Sequence, residues 1–304
     1  MKKFTEGRKM FVTVLAIFLV YSIVFIIFDD FDRQRFEFLE EPDDWHLLAF
    51  TVLVLAVLAF VLHRYAIHMD ARIGREQAEQ QTAMRRELTQ NIAHELKTPA
   101  TSIQGYLETL LAHPDIDPSQ RTLFLERSLG QSQRLTALLR DITTLQRMDY
   151  APDAESFEPV DLTAVIANVA KETALQFNER RMTFVQRLPA SIMLRGNATL
   201  LYGIFRNLTD NALAYAGEGT TVTLTASESI HFWHFTFSDN GPGVPPQHLG
   251  HLFERFYRVD KGRSRKLGGT GLGLAIVKNA VMLHGGHITA SNDRGLRFDF
   301  SLHK

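Results

Sequence analysis

Two uncharged apolar runs near the N-terminus, residues 11–28 and 47–62, constrain this 304-residue chain more than any other feature. A helix that crosses a bilayer needs about 20 mainly apolar residues, with a lower limit near 17. The first run meets that length. The second reaches it when extended to 65, with Trp45 and Tyr65 as interfacial anchors. The expectation is therefore a membrane protein with transmembrane helices at 11–28 and 47–65. A cleaved leader is the alternative for the first run, with Lys2, Lys3, Arg8 and Lys9 as its basic region. That run is long for a leader, and no small-residue cleavage site follows it. A buried soluble helix is the alternative for the second run.

Orientation follows from the flanking cations. Basic residues precede the first run, and Arg64, Arg72 and Arg75 follow the second, whereas the loop at 29–46 is acidic and holds only Arg33 and Arg35. The positive-inside rule then puts both termini (1–10 and everything after 65) in the cytoplasm, in a multi-pass protein of the inner, cytoplasmic membrane of the cell. The outer loop is too short to bury a core of its own. The formal net charge of −1 gives no basic signature, so no nucleic-acid partner is expected. The absence of cysteine excludes disulfides, Cys-ligated metals and thiol catalysis.

Beyond the second run the chain is polar and helix-forming over about 67–111, with Gly74 and Pro99 as its strong breakers. Ile73, Met84, Leu88 and Ile92 give a loose apolar seam, so 66–84 reads as a signalling helix. Residues 113–118 form a turn by composition, and Ser119 is placed to cap a second helix running to about 148. Phe124, Leu125, Leu129, Leu135, Leu138, Leu139, Ile142 and Leu145 make a broad apolar stripe on it. A hairpin of two such helices over 85–150 leaves an apolar face uncovered, and pairing with a second copy as a four-helix bundle homodimer would cover it. Residues 149–158 read as a linker. The remainder, 151–304, alternates helical runs (161–179, 199–215, 272–284) with strand-like ones (182–187, 221–225, 232–238, 287–291, 297–302). That pattern is an α+β sandwich with one helical layer on a mixed sheet.

Four clusters carry chemistry. His94 and Thr98 share a helix face, and Glu95 can lean beside the imidazole. A neutral imidazole is a competent nucleophile, and a carboxylate can hold its other proton. Pro99 removes a backbone donor and frees a carbonyl near Glu95. Asn207 and Asn211 share a face, with Tyr215 one turn on, and amide oxygens there suit Mg2+. Asp239, Gly241 and Gly243 follow a strand, where an ionised carboxylate accepts from an exocyclic amine. Gly268, Gly269, Thr270, Gly271, Leu272 and Gly273 run into an apolar helix, whose N-terminus is an anion site. Arg258 sits before a Gly-rich, cationic stretch (Lys261, Arg263, Arg265, Lys266) that reads as a lid, and Arg258 is placed to neutralise a transferring phosphate.

In their order and spacing these clusters closely resemble the sensor histidine kinases of two-component systems, from about 64 to the C-terminus. His94, Glu95, Leu96, Lys97, Thr98 and Pro99 resemble the phosphoacceptor box of the phosphate- and cell-wall-responsive group. The stretch 207–215 resembles the N box, 239–243 and 269–273 the glycine boxes, and 253–258 the F box. The resemblance implies a dimeric hairpin joined to an ATP-binding sandwich of the gyrase and Hsp90 type. It implies that His94 is phosphorylated from ATP, that Glu95 is its acid/base helper, and that Thr98 positions water for dephosphorylation of the partner. It also implies that Asn211, helped by Asn207, holds Mg2+, that Asp239 anchors adenine, and that a response regulator's receiver aspartate accepts the phosphoryl group. The sequence departs from the family at Ala214, where a basic residue is usual, and at Leu296, where Thr or Ser is common. No HAMP or PAS module is evident between 62 and the His94 helix. A gyrase- or Hsp90-like ATPase would share the nucleotide boxes but lack the His94 cluster.

Overall fold

The computed structural model describes Tyr21 and residues 45–150, 156–260 and 269–304. The first apolar run apart from Tyr21, the outer loop up to residue 44, residues 151–155 of the expected linker and the cationic lid at 261–268 lie outside the described residues. The chain divides into compact units at 1–85 and 86–304.

In the first unit, helix α1 (Trp45–Ala112) begins, and it presents Val52, Leu53, Leu55, Val57, Phe60, Val61 and Leu62 as exposed side chains. Among the described residues no helix is long and apolar enough to cross a membrane.

The second unit contains the rest of α1 and helix α2 (Pro118–Tyr150), which form the hairpin. Residues 113–117 make the turn between them, and the cap of α2 is Asp117 rather than Ser119. Asp117 Oδ2 accepts from the backbone N–H groups of Ser119 and Gln120 at 3.0 and 3.4 Å, and Ser119 gives its hydroxyl to the same oxygen. Pro118 occupies the first helical position, where its missing donor costs nothing. Tyr106 stacks on Phe124 across the hairpin at 5.6 Å.

The apolar stripe of α2 divides in two. Leu138, Leu145 and Met148 are buried in a core shared with the sandwich, and Leu96 and Ile142 pack against it. Leu125, Leu129 and Leu139 stay exposed, as do Leu107, Leu111 and Leu123. Leu138 and Leu145, expected to face a second hairpin, are instead covered by the chain's own sandwich.

The sandwich starts with β1 (Glu158–Asp161), α3 (Leu162–Glu179), β2 (Thr183–Arg187), β3 (Met193–Gly196) and α4 (Ala198–Tyr215). It continues with β4 (Thr221–Glu228), β5 (Phe232–Asp239), the four-residue α5 (Pro246–Leu249), α6 (Gly273–Leu283), β6 (Ile288–Asn292) and β7 (Leu296–His303). A five-stranded sheet runs β2-β4-β5-β7-β6, with only the β2–β4 pair parallel. Trp233, Phe235 and Phe237 alternate inward on β5, and Leu296, Phe298, Phe300 and Leu302 do so on β7. Period-2 burial of this kind requires a layer on one face only. Helices α3, α4 and α6 supply it: α4 buries Leu200, Leu201, Ile204, Phe205, Leu208, Ala212 and Leu213 at helical spacing. Phe205 meets Phe235 edge-on at 5.6 Å.

The second, two-stranded sheet pairs β1 with β3 antiparallel and was not expected. Of the expected linker 149–158, the first two residues continue α2 and the last, Glu158, opens β1. Asp161 then caps α3, accepting from the N–H groups of Thr163 and Ala164.

Candidate functional site: a histidine helix docked on a nucleotide cradle

His94 lies on α1 with its imidazole exposed, and among the described residues the ring has no hydrogen bond. One turn on, Thr98 donates its hydroxyl to the His94 carbonyl at 3.2 Å, and Ser102 donates to the Thr98 carbonyl at 3.0 Å. Pro99 is buried inside the helix and leaves the Glu95 carbonyl without the usual i+4 donor. The Glu95 side chain does not hold the imidazole. Its Oε2 accepts from Arg134 at 3.3 Å and Arg258 at 2.9 Å. All three side chains are largely out of water, at 16%, 11% and 6% exposure respectively.

The nucleotide clusters converge at one end of the sheet. Asp239 closes β5 and is buried. Its Oδ1 accepts from the N–H groups of Gly241 at 2.9 Å and Leu296 at 3.2 Å, which leaves Oδ2 for a ligand. Leu296, where the sequence departs from the family, contributes its backbone N–H to this carboxylate. Gly241 has no room for a Cβ, which would stand 2.3 Å from the Ala216 carbonyl oxygen. Gly243 is held at φ +68°, and the next residue is clamped by Asn292, which accepts from Val244 N–H at 3.1 Å and donates to its carbonyl at 2.6 Å.

On α4, Asn207 gives its amide hydrogen to the Gly203 carbonyl at 2.8 Å. Its Oδ1 faces the glycine loop: a Cβ on Gly273 would stand 2.8 Å from it. Asn211, four residues on, is half-buried with no hydrogen bond among the described residues, and Tyr215 ends the helix. Both amide oxygens are thus free to serve as hard ligands, as Mg2+ requires.

The glycine loop reaches α6 through Gly269, Thr270, Gly271 and Leu272. Gly271 sits at φ +75° and accepts from Phe256 N–H at 2.8 Å, which ties the loop to the 253–258 segment. Thr270 Oγ1 accepts from Leu272 N–H at 3.2 Å and donates to Asp141 on α2 at 2.7 Å. Burial pushes the Asp141 carboxyl above its ordinary value, opposed by the Thr270 hydrogen bond and by Arg140. Arg258 donates to the Gly269 carbonyl at 2.9 Å, while its Nε is buried without a hydrogen-bond partner among the described residues. A phosphate oxygen at this loop would satisfy that orphaned donor, so the residues fit a nucleotide polyphosphate. Two further contacts bind the sandwich to α2: Arg255 and Asn279 both donate to Asp149, at 2.8 and 3.4 Å. Neither Asp141, Asp149, Arg134 nor Asn292 belongs to a recognisable motif, and no local sequence pattern singles them out.

Fold and site together define a class, in which a phosphoacceptor hairpin is joined to an ATPase sandwich. The family comparisons agree. Residues 84–151 match the His Kinase A (phospho-acceptor) domain, and 196–304 match the histidine kinase-, DNA gyrase B- and HSP90-like ATPase. The chain belongs to the sensor histidine kinases of two-component systems. It is 34% identical over 247 residues to the phosphate regulon sensor protein PhoR of Haemophilus influenzae, covering 80% of this chain and 57% of the relative. The chain thus spans little more than half the length of the curated relatives it matches. The histidine kinase AdeS of Acinetobacter baumannii has the same fold, with a TM-score of 0.58 at 24% identity, over 69% of this chain and 97% of that one. So does the histidine kinase ThkA, solved in complex with the response regulator protein TrrA, with a TM-score of 0.55 at 20% identity, over 72% of this chain and 61% of that one.

Proposed function

We propose that this chain is a transmembrane sensor kinase that phosphorylates His94 from ATP and passes the phosphoryl group to an aspartate of a response regulator. The observation that carries the reading is the shared unit: an exposed, unbonded imidazole on α1 and a nucleotide cradle whose Arg258 already reaches the neighbouring Glu95. In the transfer, a neutral His94 nitrogen attacks the γ-phosphorus, the bond to the ADP oxygen breaks, and Glu95 takes the proton of the second ring nitrogen. Asp239 Oδ2 accepts from the adenine amine. Arg258 neutralises charge on the transferring group, so catalysis is mainly positioning and electrostatics. Asn211 and Asn207 would hold Mg2+, which would supply positive charge to the phosphates. Because Glu95 and Arg258 pair with each other in the docked form, transfer requires the sandwich to leave this position.

Thr98 keeps its hydroxyl lone pairs free while donating to the His94 carbonyl, which suits it to orient water in a phosphatase reaction on the phosphorylated regulator. The exposed leucines of the hairpin support a homodimer through the remaining apolar face. ThkA's complex with TrrA supports a receiver-domain partner. The membrane reading assigns 11–28 and 47–65 to the bilayer, 29–46 to the outer side, 66–84 to a signalling helix, 85–150 to the hairpin and 151–304 to the ATP domain. The row of exposed apolar side chains from Val52 to Leu62 supports the second span. Incubating the chain with γ-labelled ATP and then a receiver protein tests the proposal. Acid-labile label absent from His94→Gln supports it, and label that persists in that variant rejects it.

A further inference from the structure

Asp141 lies on α2, outside every motif, yet it accepts a hydrogen bond from Thr270 of the glycine loop itself. The hydroxyl of Thr270 is fully committed, with its proton on Asp141 and a lone pair on Leu272 N–H in the approach to α6. The loop is therefore held at Thr270 by a carboxylate and at Gly269 by Arg258. This is the place where backbone N–H groups and the orphaned Arg258 Nε would receive phosphate oxygens. A polyphosphate seated there brings several negative charges against a partly desolvated carboxylate, and like charges in such surroundings repel strongly.

We propose that Asp141 is a positioning residue that opposes polyphosphate binding: through Thr270 it keeps the glycine loop in the docked form, and the phosphates of a nucleoside triphosphate displace it and release the sandwich from the hairpin. The proposal rests on the nucleotide site described above. Nucleotide charge itself then supplies the force that separates Glu95 from Arg258.

The test is calorimetric titration of the full chain and its Asp141→Asn variant with ATP, ADP and adenosine. The amide keeps an acceptor for Thr270 and removes only the charge. ATP should bind about tenfold tighter to the variant, ADP by a smaller factor, and adenosine equally well, since the effect follows phosphate charge. Asp141→Ser, smaller and also neutral, gives the same readout if the amide disturbs packing. Amide hydrogen exchange at 134–148 should rise when ATP is added to the wild type. An ATP-to-adenosine affinity ratio unchanged in both variants overturns the proposal. A wild type that binds neither ATP nor adenosine overturns the nucleotide-site reading instead, and this proposal with it.

Discussion

Arg258 crosses 163 residues of sequence to donate to Glu95 Oε2 at 2.9 Å, so two side chains expected to serve opposite ends of one phosphoryl transfer neutralise each other. Arg134 shares the same carboxylate oxygen. Removing one member of this largely desolvated cluster would strand the other charges, which makes the pairing costly to break one side at a time. Glu95→Gln and Arg258→Gln should each loosen the docking of sandwich on hairpin, with a coupling between them of about 0.5–3 kcal/mol. Amide exchange along α2 is the measurement, and the double variant should exchange no faster than the looser single one. Strict additivity would show that the pair does not hold the docked form.

The divided stripe on α2 separates two kinds of leucine. Leu145 is buried under the chain's own sandwich, and Leu129 is 60% exposed. Leu145→Ala should lower stability by about 2–5 kcal/mol, the range for emptying a packed core position. Leu129→Ala should leave thermal unfolding of the sandwich nearly unchanged and weaken self-association instead. Denaturant titration reads the first effect and sedimentation equilibrium the second. Loss of thermal stability in Leu129→Ala at concentrations where the chain is monomeric would contradict the division.

The helices and the five-stranded sheet were legible because each has a period: burial every second residue on β5 and β7, and every third or fourth on α4. The motifs were legible because their residues stand close in sequence. What escaped the sequence lacks both properties. Strand β1 is four residues long, contains Pro159 and buries only Val160, so nothing distinguishes it from the linker before it. Leu138 and Leu129 belong to one apolar stripe, and which of them meets the sandwich depends on docking, which periodicity cannot report. Asp141, Asp149 and Asn292 act across 129, 106 and 48 residues through one or two hydrogen bonds each. The role expected for Ser119 went to Asp117 because a carboxylate two residues earlier could accept two backbone donors at once.

His284 predicts a pH dependence of folding. Its ring lies buried at the end of α6, with Nδ1 bonded to the Ala280 carbonyl at 2.7 Å and Nε2 accepting from Asn197 N–H at 3.1 Å. Both nitrogens are satisfied only in the neutral ring. Burial lowers its pKa below the ordinary 6.5, against a smaller opposing pull from the Ala280 carbonyl. The unfolded chain therefore takes up a proton near 6.5 while the folded one refuses it until lower pH. The stability that neutral His284 contributes is complete above 6.5 and is lost as pH falls through the depressed folded value. Urea midpoints should decline below that pH in the wild type. In His284→Phe the decline should flatten, on a baseline lowered by about 1–3 kcal/mol because Asn197 N–H loses its acceptor. An equal decline in both proteins would place the titrating group elsewhere.

Asp239 allows fold and ligand binding to be separated in one substitution. Both of its structural hydrogen bonds, from Gly241 and Leu296, end on Oδ1, so an Asn side chain oriented the same way retains both. The atom replaced is Oδ2, which turns from an acceptor into a donor and faces the amine of adenine with a second donor. Asp239→Asn should therefore unfold close to the wild-type midpoint while losing about 2–3 kcal/mol of ATP affinity, roughly a hundredfold. Asp239→Ala removes the acceptor as well and strands two backbone donors, so it should lose stability together with affinity. Thermal unfolding and nucleotide titration of the two variants check this pair of outcomes. If Asp239→Asn bound ATP as the wild type does, Oδ2 would not be the adenine acceptor, and the orientation assigned to the nucleotide in this cradle would have to be abandoned.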